Sequence, residues 1–314
     1  MKKIVALLLA AVMVVALCAC GASKPLNFTT GGDQGTYYGF GGVLAQKISE
    51  KTKTQVTAIT SGGSKANIEA LQAGDAQFGF VQSDVMAYGY EGSGLFDAAV
   101  ENYSTVAALY MEQVQIVTLN PDIKTVADLK GKTVSIGAAG SGVYFNAIDV
   151  LGAYGLTEND ITPTYQSFGD STEDLQDGKL DAAFIVAGAP TTAVTSLAAT
   201  RNVYLVGLDD AHIDALIAES PYYSKYVIPA ATYNMPEDVP TVAVGAVVIA
   251  RDDVSADDVY NFVSAVFENI EELKAAHDKA NELDLDFAAS VTSVPYHAGA
   301  AKYFAEKGIS VPTK

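Results

Sequence analysis

The sequence predicts an α/β protein with two similar lobes, each holding a sheet flanked by helices. Three times between residues 26 and 88, a β-type run ends in Gly, Ser, Thr or Gln and a helical pattern begins. This βαβ pattern predicts a parallel sheet whose loops meet at the carboxyl ends of the strands, where open α/β sheets bind ligands. The chain has 314 residues, more than one compact core usually holds, which favours two lobes.

The first junction is the stretch Asn27 to Gln46. A β-type run at Leu26–Thr30 breaks at two glycines, and Gly35-Thr36-Tyr37-Tyr38 then leads into apolar residues at helical spacing. A helix N-terminus leaves backbone N–H groups unpaired, with the positive end of the helix dipole behind them, so it suits an anionic ligand group. We expect Thr36 to offer a hydroxyl and Tyr37 an apolar wall of the cleft, while Tyr38 packs in the core.

Two more junctions follow. The run Gln55–Thr60 leads through Ser61-Gly62-Gly63-Ser64 into a helix over Ala66–Ala73, and Ser61 or Ser64 is a suitable N-cap for it. The run Ala76–Val81 leads into Gln82-Ser83-Asp84 and another helix. Asp84 suits a ligand ammonium group; the alternative is an acid that only complements the helix dipole. Likewise, the serines either bind ligand or only cap their helix.

The pattern continues through the rest of the chain. Strands are predicted at Val114–Leu119, Thr133–Gly137 and Asp181–Ala187, with loops at Ser141-Gly142-Val143 and at Gly188 to Thr191, and Pro190 fits a first helical turn. The last third predicts a strand, one long helix and a final helical stretch, which are Thr241–Ala250, Asp257 to Lys274 and Val291 to Gly308.

A faint repeat supports two lobes. Leu71-Gln72-Ala73-Gly74 and Leu175-Gln176-Asp177-Gly178 each end a helix at glycine before a buried strand, although coincidence between short units is the alternative. We predict lobe 1 over residues 20–116 and 242–314, and lobe 2 over residues 117–241. Two crossings, near Val114 and near Val242, would form the hinge.

The N-terminal segment is predicted to be an export signal rather than part of the fold. Two lysines precede the apolar run Ile4 to Leu17, and Leu17-Cys18-Ala19-Cys20 matches a bacterial lipobox with cleavage after Ala19 and lipid on Cys20. Residues 1–19 would then be a lipoprotein signal peptide, and the protein would be extracytoplasmic and anchored to the cell membrane. The alternatives are an uncleaved anchor and plain secretion.

Composition argues against a nucleic-acid partner and against structural use of cysteine. The net charge is −18, and removal of Lys2 and Lys3 with the signal lowers it by two, to −20. Such a charge argues against nucleic acid, whose backbone needs Lys and Arg. Both cysteines lie in the export segment, so we expect no disulfide and no cysteine-based metal site in the mature fold.

Four stretches of the chain carry a resemblance, and together they span the mature chain from Leu26 to Gly308. They are TTGGDQGTYYGFGGVLAQ, TSGGSKANIEALQAGDAQFGFVQSDVMAYGY, GAAGSGVYFNA and SVPYHAGAAKYF. The chain resembles the TAXI family, the extracytoplasmic solute receptors of one branch of TRAP transporters. One departure is Gly39, where this family often has Pro after the tyrosine pair.

The resemblance implies a two-lobe type II periplasmic-binding-protein fold, with mixed, mostly parallel sheets flanked by helices. It implies membrane permease subunits of a TRAP transporter as partners, driven by an ion gradient. It also implies a glutamate-like amino acid or a dicarboxylate as ligand, and no cofactor.

Five loops should converge at one site. The predicted ligand-binding residues are Gly35, Thr36, Tyr37, Ser61, Gly63, Ser64, Gln82, Ser83, Asp84, Ser141, Gly142, Val143, Gly188, Pro190 and Thr191. These loops offer hydroxyls, backbone N–H groups, one amide and one carboxylate, but no arginine, so a guanidinium clamp is not expected. With Asp84 for an ammonium group, a zwitterion such as glutamate or glutamine is favoured over a simple dicarboxylate. Lys65 is expected to be a solvated helix lysine, and a ligand contact from Tyr233 is left open.

No catalytic pattern stands out. The sequence has no HExxH, GxSxG or GxxxxGK[ST], and residues 137–142 lack the GxGxxG spacing. Ser141 has no recognisable base in sequence. We therefore predict a binding protein that is not an enzyme, with no catalytic or metal-binding residue. The alternative class is a surface-anchored lipoprotein with an adhesin or immunogenic role.

Overall fold

The computed structural model describes residues 25–314, so the predicted signal peptide and the lipidation of Cys20 lie outside the described residues. Within residues 25–314, no helix combines the length and the apolar character needed to cross a membrane.

Ten strands of the described residues form one mixed sheet. Their bounds are β1 Leu26–Thr29, β2 Val56–Ile59, β3 Phe78–Gln82, β4 Tyr103–Thr118, β5 Thr133–Ser135, β6 Thr162–Thr164, β7 Ala182–Ala187, β8 Tyr204–Leu205, β9 Ser224–Ile228 and β10 Val239–Arg251. The order is β2-β1-β3-β10-β4-β7-β5-β6, with β8 on β4 and β9 on β10. The outer strands at each end pair in parallel, as their βαβ connections require. β3 and β7 are buried along their whole length, which explains their continuous apolar runs.

Eleven α-helices cover the sheet in the described part of the chain. Their bounds are α1 Thr36–Lys51, α2 Ser64–Ala73, α3 Ser83–Glu91, α4 Gly142–Ala153, α5 Phe168–Gln176, α6 Thr192–Ala198, α7 Asp210–Glu219, α8 Ala256–Phe267, α9 Ile270–Ala276, α10 Leu285–Ala288 and α11 Ala298–Glu306. Gly74 ends α2 in the left-handed conformation at a φ of 86°, the position that the repeat predicted. Gly178 has a similar φ of 73° just after α5.

Two long antiparallel strands form the middle of the sheet. β4 has 16 residues and β10 has 13, and they pair with each other over most of their length. The sequence predicted β4 only from Val114, because the polar pair Glu112-Gln113 interrupts its apolar pattern. The buried core changes along both strands. Tyr110 and Ala246 pack in one apolar cluster, whereas Val114 and Val244 pack in another.

We use lobe 1 and lobe 2 for the parts built on these two sets of core residues. Lobe 1 packs around Phe28, Phe80 and Phe262, and lobe 2 around residues such as Phe184 and Ile116. We propose that the hinge lies where β4 and β10 pass from one core to the other. The boundaries at residues 116/117 and 241/242 stay a prediction.

Two local predictions are wrong. The helix predicted from Asp257 to Lys274 is two helices, because Asn269 leaves helical geometry and its Nδ2 donates to the carbonyl of Ala265, 2.9 Å away. Pro190 is not in a first helical turn. It follows a cis peptide bond, and α6 starts only after Thr191, whose N–H donates to the Tyr233 hydroxyl.

Candidate ligand-binding site

A cavity of about 90 Å³ lies between the two lobes. Four helices begin at it: α1 and α2 from lobe 1, and α4 and α5 from lobe 2. Ten of the fifteen predicted residues line it, namely Gly35, Thr36, Tyr37, Ser61, Gly63, Ser64, Gln82, Ser141, Gly142 and Val143. The other lining residues are Gly31, Gly32, Gly62, Glu112, Ala138, Gln166, Ser167, Phe168, Val186 and Ala187.

The helix starts give the cavity a positive electrostatic character without a cationic side chain in its wall. Each helix leaves its first amide groups without a partner inside the helix, and the four dipoles point their positive ends at one space. None of the lining residues is a lysine or an arginine. The wall therefore suits a carboxylate or another small anionic group held by N–H groups and hydroxyls.

The helix caps differ from the prediction. Gly63, with a φ of 103°, is the N-cap of α2, and neither neighbouring serine caps it. Instead, the hydroxyl of Ser61 accepts a hydrogen bond from the N–H of Gly63, and that of Ser64 accepts one from the N–H of Gln82. In lobe 2, the hydroxyl of Ser141 does cap its helix by accepting from the N–H of Tyr144 at 3.3 Å.

Tyr37 forms one wall of the cavity. Its ring stacks on Phe80, with centroids 4.7 Å apart and an interplanar angle of 4°. Its hydroxyl donates to Glu112 Oε2 at 2.7 Å. Burial, followed by the charge of Glu112, raises the pKa of Tyr37 well above its usual value, so the phenol stays a donor. Tyr38 lies outside this cavity, and at 38% exposed it does not pack in the core, so that part of the prediction is wrong.

Glu112 is the acid of the cavity, and no pattern in the sequence predicted it there. Burial raises its pKa to about 8, although the hydrogen bond from Tyr37 acts in the opposite direction. Glu112 is therefore mostly protonated at pH 7. One signal was available in the sequence: Glu112 is the one Asp or Glu in β4. In the structure only 2% of it is exposed.

The loop at residues 166–168 was also missed. Ser167 caps α5, and its hydroxyl accepts a hydrogen bond from the N–H of Asp170. The Ser-x-x-Asp spacing is typical of a helix start and would have revealed this loop. The Phe168 ring lies opposite Gly35 across the cavity. A Cβ added at Gly35 would lie 3.5 Å from the carbons of this ring.

Direct contacts across the cavity hold the lobes closed. Thr36 Oγ1 donates to the carbonyl of Gly188 at 2.9 Å. The N–H of Ala66 donates to the carbonyl of Gly140 at 3.0 Å, at the start of α2. Thr36, a predicted ligand hydroxyl, thus already gives its hydrogen to the other lobe, and only its oxygen remains available to accept.

Behind the cavity, five polar side chains join the lobes, four of them buried and Asp149 half-buried; we call them the interlobe polar cluster. They are Gln82, Asp84, Asn146, Asp149 and Tyr223. Gln82 Nε2 donates to Asn146 Oδ1 at 2.9 Å, and Asn146 Nδ2 donates to Asp84 Oδ2 and to the Tyr223 oxygen, both at 2.8 Å. The Tyr223 hydroxyl in turn donates to Asp149 Oδ2 at 2.8 Å. Burial raises the pKa of Asp84 to about 7 and also raises that of Asp149.

Five predicted site residues do not line the cavity. The carboxylate of Asp84 faces Asn146, so in this conformation it is not placed to meet a ligand ammonium group. Ser83 instead accepts from the N–H of Gly245 at 3.0 Å. The Thr191 hydroxyl donates to the carbonyl of Gly188, which also accepts the hydrogen bond from Thr36 Oγ1. Pro190 lines a separate depression of the surface.

Lys65 and Tyr233 also lie away from the cavity. Lys65 pairs with Glu69 one helical turn along α2, as a solvated lysine would. The Tyr233 hydroxyl donates to Gln115 Oε1 at 2.5 Å inside lobe 2, and Tyr233 does not line the cavity.

Gln82 connects the cavity with the interlobe polar cluster. Its Oε1 is buried and has no hydrogen-bond partner within residues 25–314. Gly142 leaves room for this oxygen, because a Cβ at that position would lie only 1.7 Å from it. A buried acceptor without a partner is costly, so a ligand donor at this place would be stabilising.

Solved structures of low sequence identity share the fold. The alkanesulfonate-binding protein SsuA from Xanthomonas axonopodis pv. citri, bound to MOPS, is 17% identical, covers 91% of this chain and 85% of its own, and has a TM-score of 0.50. The GluR0 ligand-binding core from Nostoc punctiforme with L-glutamate is 16% identical, with 82% and 100% covered and a TM-score of 0.50. A putative L-cystine ABC transporter from Listeria monocytogenes is 15% identical, with 87% and 100% covered and a TM-score of 0.52.

These likenesses confirm the predicted fold class, a two-lobe periplasmic-binding-protein fold of type II with a mixed sheet flanked by helices. A family model also matches nearly the whole described chain, over residues 28–308, and its description is the NMT1-like family. The chain therefore belongs to the NMT1-like family, a family of periplasmic solute-binding proteins.

Proposed function

We propose that this protein is the extracytoplasmic receptor of a TRAP-type transporter of the TAXI branch. It captures a small amino acid or carboxylate between its lobes and delivers it to membrane permease subunits, tethered by lipid on Cys20. The observation that carries the proposal is the convergence of four helix N-termini, two from each lobe, on one closed cavity. A ligand group that contacts both pairs of helices would stabilise the closed form.

The charge of the wall favours a ligand with a carboxylate. Hydrogen bonds to a charged group contribute roughly 1.5–3 kcal/mol each. Several such bonds from helix amides, with water excluded by closure, reach the roughly −8 kcal/mol of micromolar binding. No arginine clamp is then required, which agrees with a wall that has no cationic side chain.

The size of the cavity favours short ligands. At about 90 Å³ it is smaller than the roughly 150 Å³ cavity known to hold benzene. Glycine, alanine and their deaminated counterparts therefore suit this degree of closure best. Glutamate and glutamine, the ligands that the TAXI resemblance favours, would need the lobes to stay further apart.

Thermal unfolding with a ligand panel tests the receptor assignment. We expect Tm to rise with the logarithm of ligand concentration above Kd for at least one of glycine, L-alanine, L-glutamate, L-glutamine, acetate, propionate and glutarate. No shift with any of them, together with no small molecule released on denaturing the purified protein, would overturn the assignment.

The type of transporter is tested separately by the neighbouring genes. A TRAP receptor is expected beside a gene for an ion-driven permease with many membrane-spanning helices. A neighbouring ATPase subunit with a GxxxxGK[ST] motif would instead assign the receptor to an ATP-driven importer and remove the TRAP part of the proposal.

A further inference from the structure

Two oxygen atoms of side chains that line the cavity have no hydrogen-bond partner within residues 25–314. Gln82 Oε1 has no partner in the described part of the chain, and only 2% of Gln82 is exposed. Glu112 receives the Tyr37 hydroxyl on Oε2, and no hydrogen bond reaches its Oε1 from residues 25–314. The rest of the wall offers mainly donors from helix N-termini. The cavity thus combines a region of donors with one amide oxygen and one carboxyl oxygen that lack partners, and the carboxyl oxygen becomes an acceptor when Glu112 ionises.

We propose that Glu112, together with Gln82, recognises the ammonium group of an amino acid whose carboxylate lies at the helix N-termini. This inference rests on the proposed function, since it assigns the substrate class of the same cavity. It makes Glu112 a specificity-determining residue that separates amino acids from their deaminated counterparts. The role given by sequence to Asp84 passes to an acid on the central strand β4.

The groups around Glu112 decide its charge. Tyr37 of α1 donates to it, and Asp84 of α3 and Tyr110 of its own strand add acidic groups nearby. From the 3-10 turn Asp278–Glu282, the cation Lys279 faces it, while Lys279 Nζ is itself paired with Glu282 Oε1 at 2.5 Å. Burial outweighs the influence of Lys279, so the pKa of Glu112 is about 8 and the free protein holds a proton there at pH 7.

An ammonium ligand then has a measurable consequence. A cation beside Glu112 favours its carboxylate form, so binding at pH 7 releases the proton of Glu112 to solvent. Because binding is linked to this proton, affinity for an amino acid should rise about tenfold per pH unit up to about pH 8 and then level off. A ligand without an amino group does not require ionised Glu112 and releases no such proton.

Calorimetry on matched ligand pairs tests the inference. The pairs are glycine with acetate, L-alanine with propionate, and L-glutamate with glutarate. Each is titrated at pH 7 in two buffers of different ionisation enthalpy, which gives the number of protons released. Subtracting the deaminated member of each pair removes any proton exchanged by lobe closure itself, for example at Asp84.

We expect the amino acid of a binding pair to release about one proton more than its partner. Glu112→Gln, which keeps the shape of the neutral side chain, should remove this difference and weaken amino-acid binding at least tenfold at pH 8, with the deaminated ligand little affected. Asp84→Asn is the matched control, since Asp84 is also a buried acid but does not line the cavity, and the proton difference should persist.

Four results overturn the inference. In the first, amino acids bind equally well to the wild type and to Glu112→Gln and show no proton difference. In the second, the proton difference is lost in Asp84→Asn alone. Either result leaves the receptor assignment intact and removes Glu112 from recognition. Deaminated ligands that bind more tightly than amino acids, with proton uptake, show that Glu112 donates to an anion instead. Failure of every ligand with the wild type overturns the receptor assignment and the inference together.

Discussion

The cavity and the interlobe polar cluster each contain a buried acid, and the two acids differ in what they face. Burial raises the pKa of Glu112 to about 8 and that of Asp84 to about 7. Glu112 lines the cavity and keeps one oxygen free, whereas Asp84 is fully buried and receives a hydrogen bond from Asn146 of the other lobe. Glu112 is therefore available to a ligand, and Asp84 helps to join the lobes.

The two acids show that position in sequence does not settle which way a side chain faces. Asp84 follows a strand that ends at the cavity, but it is the second residue of α3 and its side chain lies behind the cavity wall. Glu112 lies within β4, where successive side chains alternate between the two faces of the sheet. Since β4 pairs with β10 near the proposed hinge, an inward side chain on it can reach the floor of the cleft.

Gly142→Ala should have the largest effect, because it acts where the two regions meet. A Cβ at Gly142 would lie 1.7 Å from Gln82 Oε1 and 2.8 Å from the Ser64 hydroxyl, both in the opposite lobe. Either the lobes stay apart or Gln82 gives up its bond to Asn146. We expect at least about thirtyfold weaker ligand binding, roughly 2 kcal/mol, and a lower Tm of the ligand-free protein, because the interlobe polar cluster is expected there too. Titration calorimetry and differential scanning calorimetry measure the two quantities.

Gly152→Ala is the matched control for this prediction. Gly152 lies in the same helix, α4, and a Cβ there meets no atom within 4 Å. It should leave affinity unchanged and raise stability slightly, as alanine does in a helix interior. Equal affinity for wild type and Gly142→Ala would show that the bound form is more open than the closed form described here.

Much of the fold could be predicted from the sequence, because the information is local. Apolar runs that end in glycine or serine marked β1, β3 and β7, and Gly74 marked the end of α2. The prediction failed where a single side chain competes with regular geometry, as Asn269 does between α8 and α9. It also missed the first part of β4, where Glu112 and Gln113 are polar because of what the folded lobes place beside them.

The candidate site was predictable to the level of loops and not to the level of side chains. Helix starts are local patterns, so the loops at Gly35, Gly63 and Ser141 were found and do line one cavity. Asp84 and Thr191 make their hydrogen bonds with residues distant in sequence, such as Asn146 and Gln115, and no local pattern shows this.

The pH dependence of unfolding should distinguish the two acids. Both pKa values are raised by folding, so each group contributes stability that is present below its usual pKa of about 4 and is lost as pH rises through 7 for Asp84 and 8 for Glu112. We therefore expect the Tm of the ligand-free protein to fall by at least about 5 °C between pH 5.5 and pH 8.5. Differential scanning calorimetry in buffers of constant ionic strength measures it.

Single variants show how much of the decline in Tm comes from Glu112 and how much from Asp84. Glu112→Gln should flatten the decline up to about pH 8, whereas Asp84→Asn should flatten it only up to about pH 7. A decline that Asp84→Asn leaves unaltered would mean that Asp84 is solvated without ligand, and hence that the interlobe polar cluster forms only on closure. A Tm that rises from pH 5.5 to pH 8.5 would contradict the burial of both acids.

Thr36→Val should have the smallest effect and separates closure from folding. Thr36 Oγ1 donates across the cavity to Gly188, and valine keeps the shape while removing that bond. A neutral hydrogen bond contributes about 0.5–1.5 kcal/mol, so affinity should fall roughly twofold to twelvefold with little change in Tm.

Ser83→Ala removes a bond to Gly245 within lobe 1 and should do the reverse, lowering Tm while affinity changes less than about twofold. If Ser83→Ala weakened binding more than Thr36→Val, the hydroxyl of Ser83 would belong to the ligand site after all, and the bound lobes would have to be arranged differently around α3.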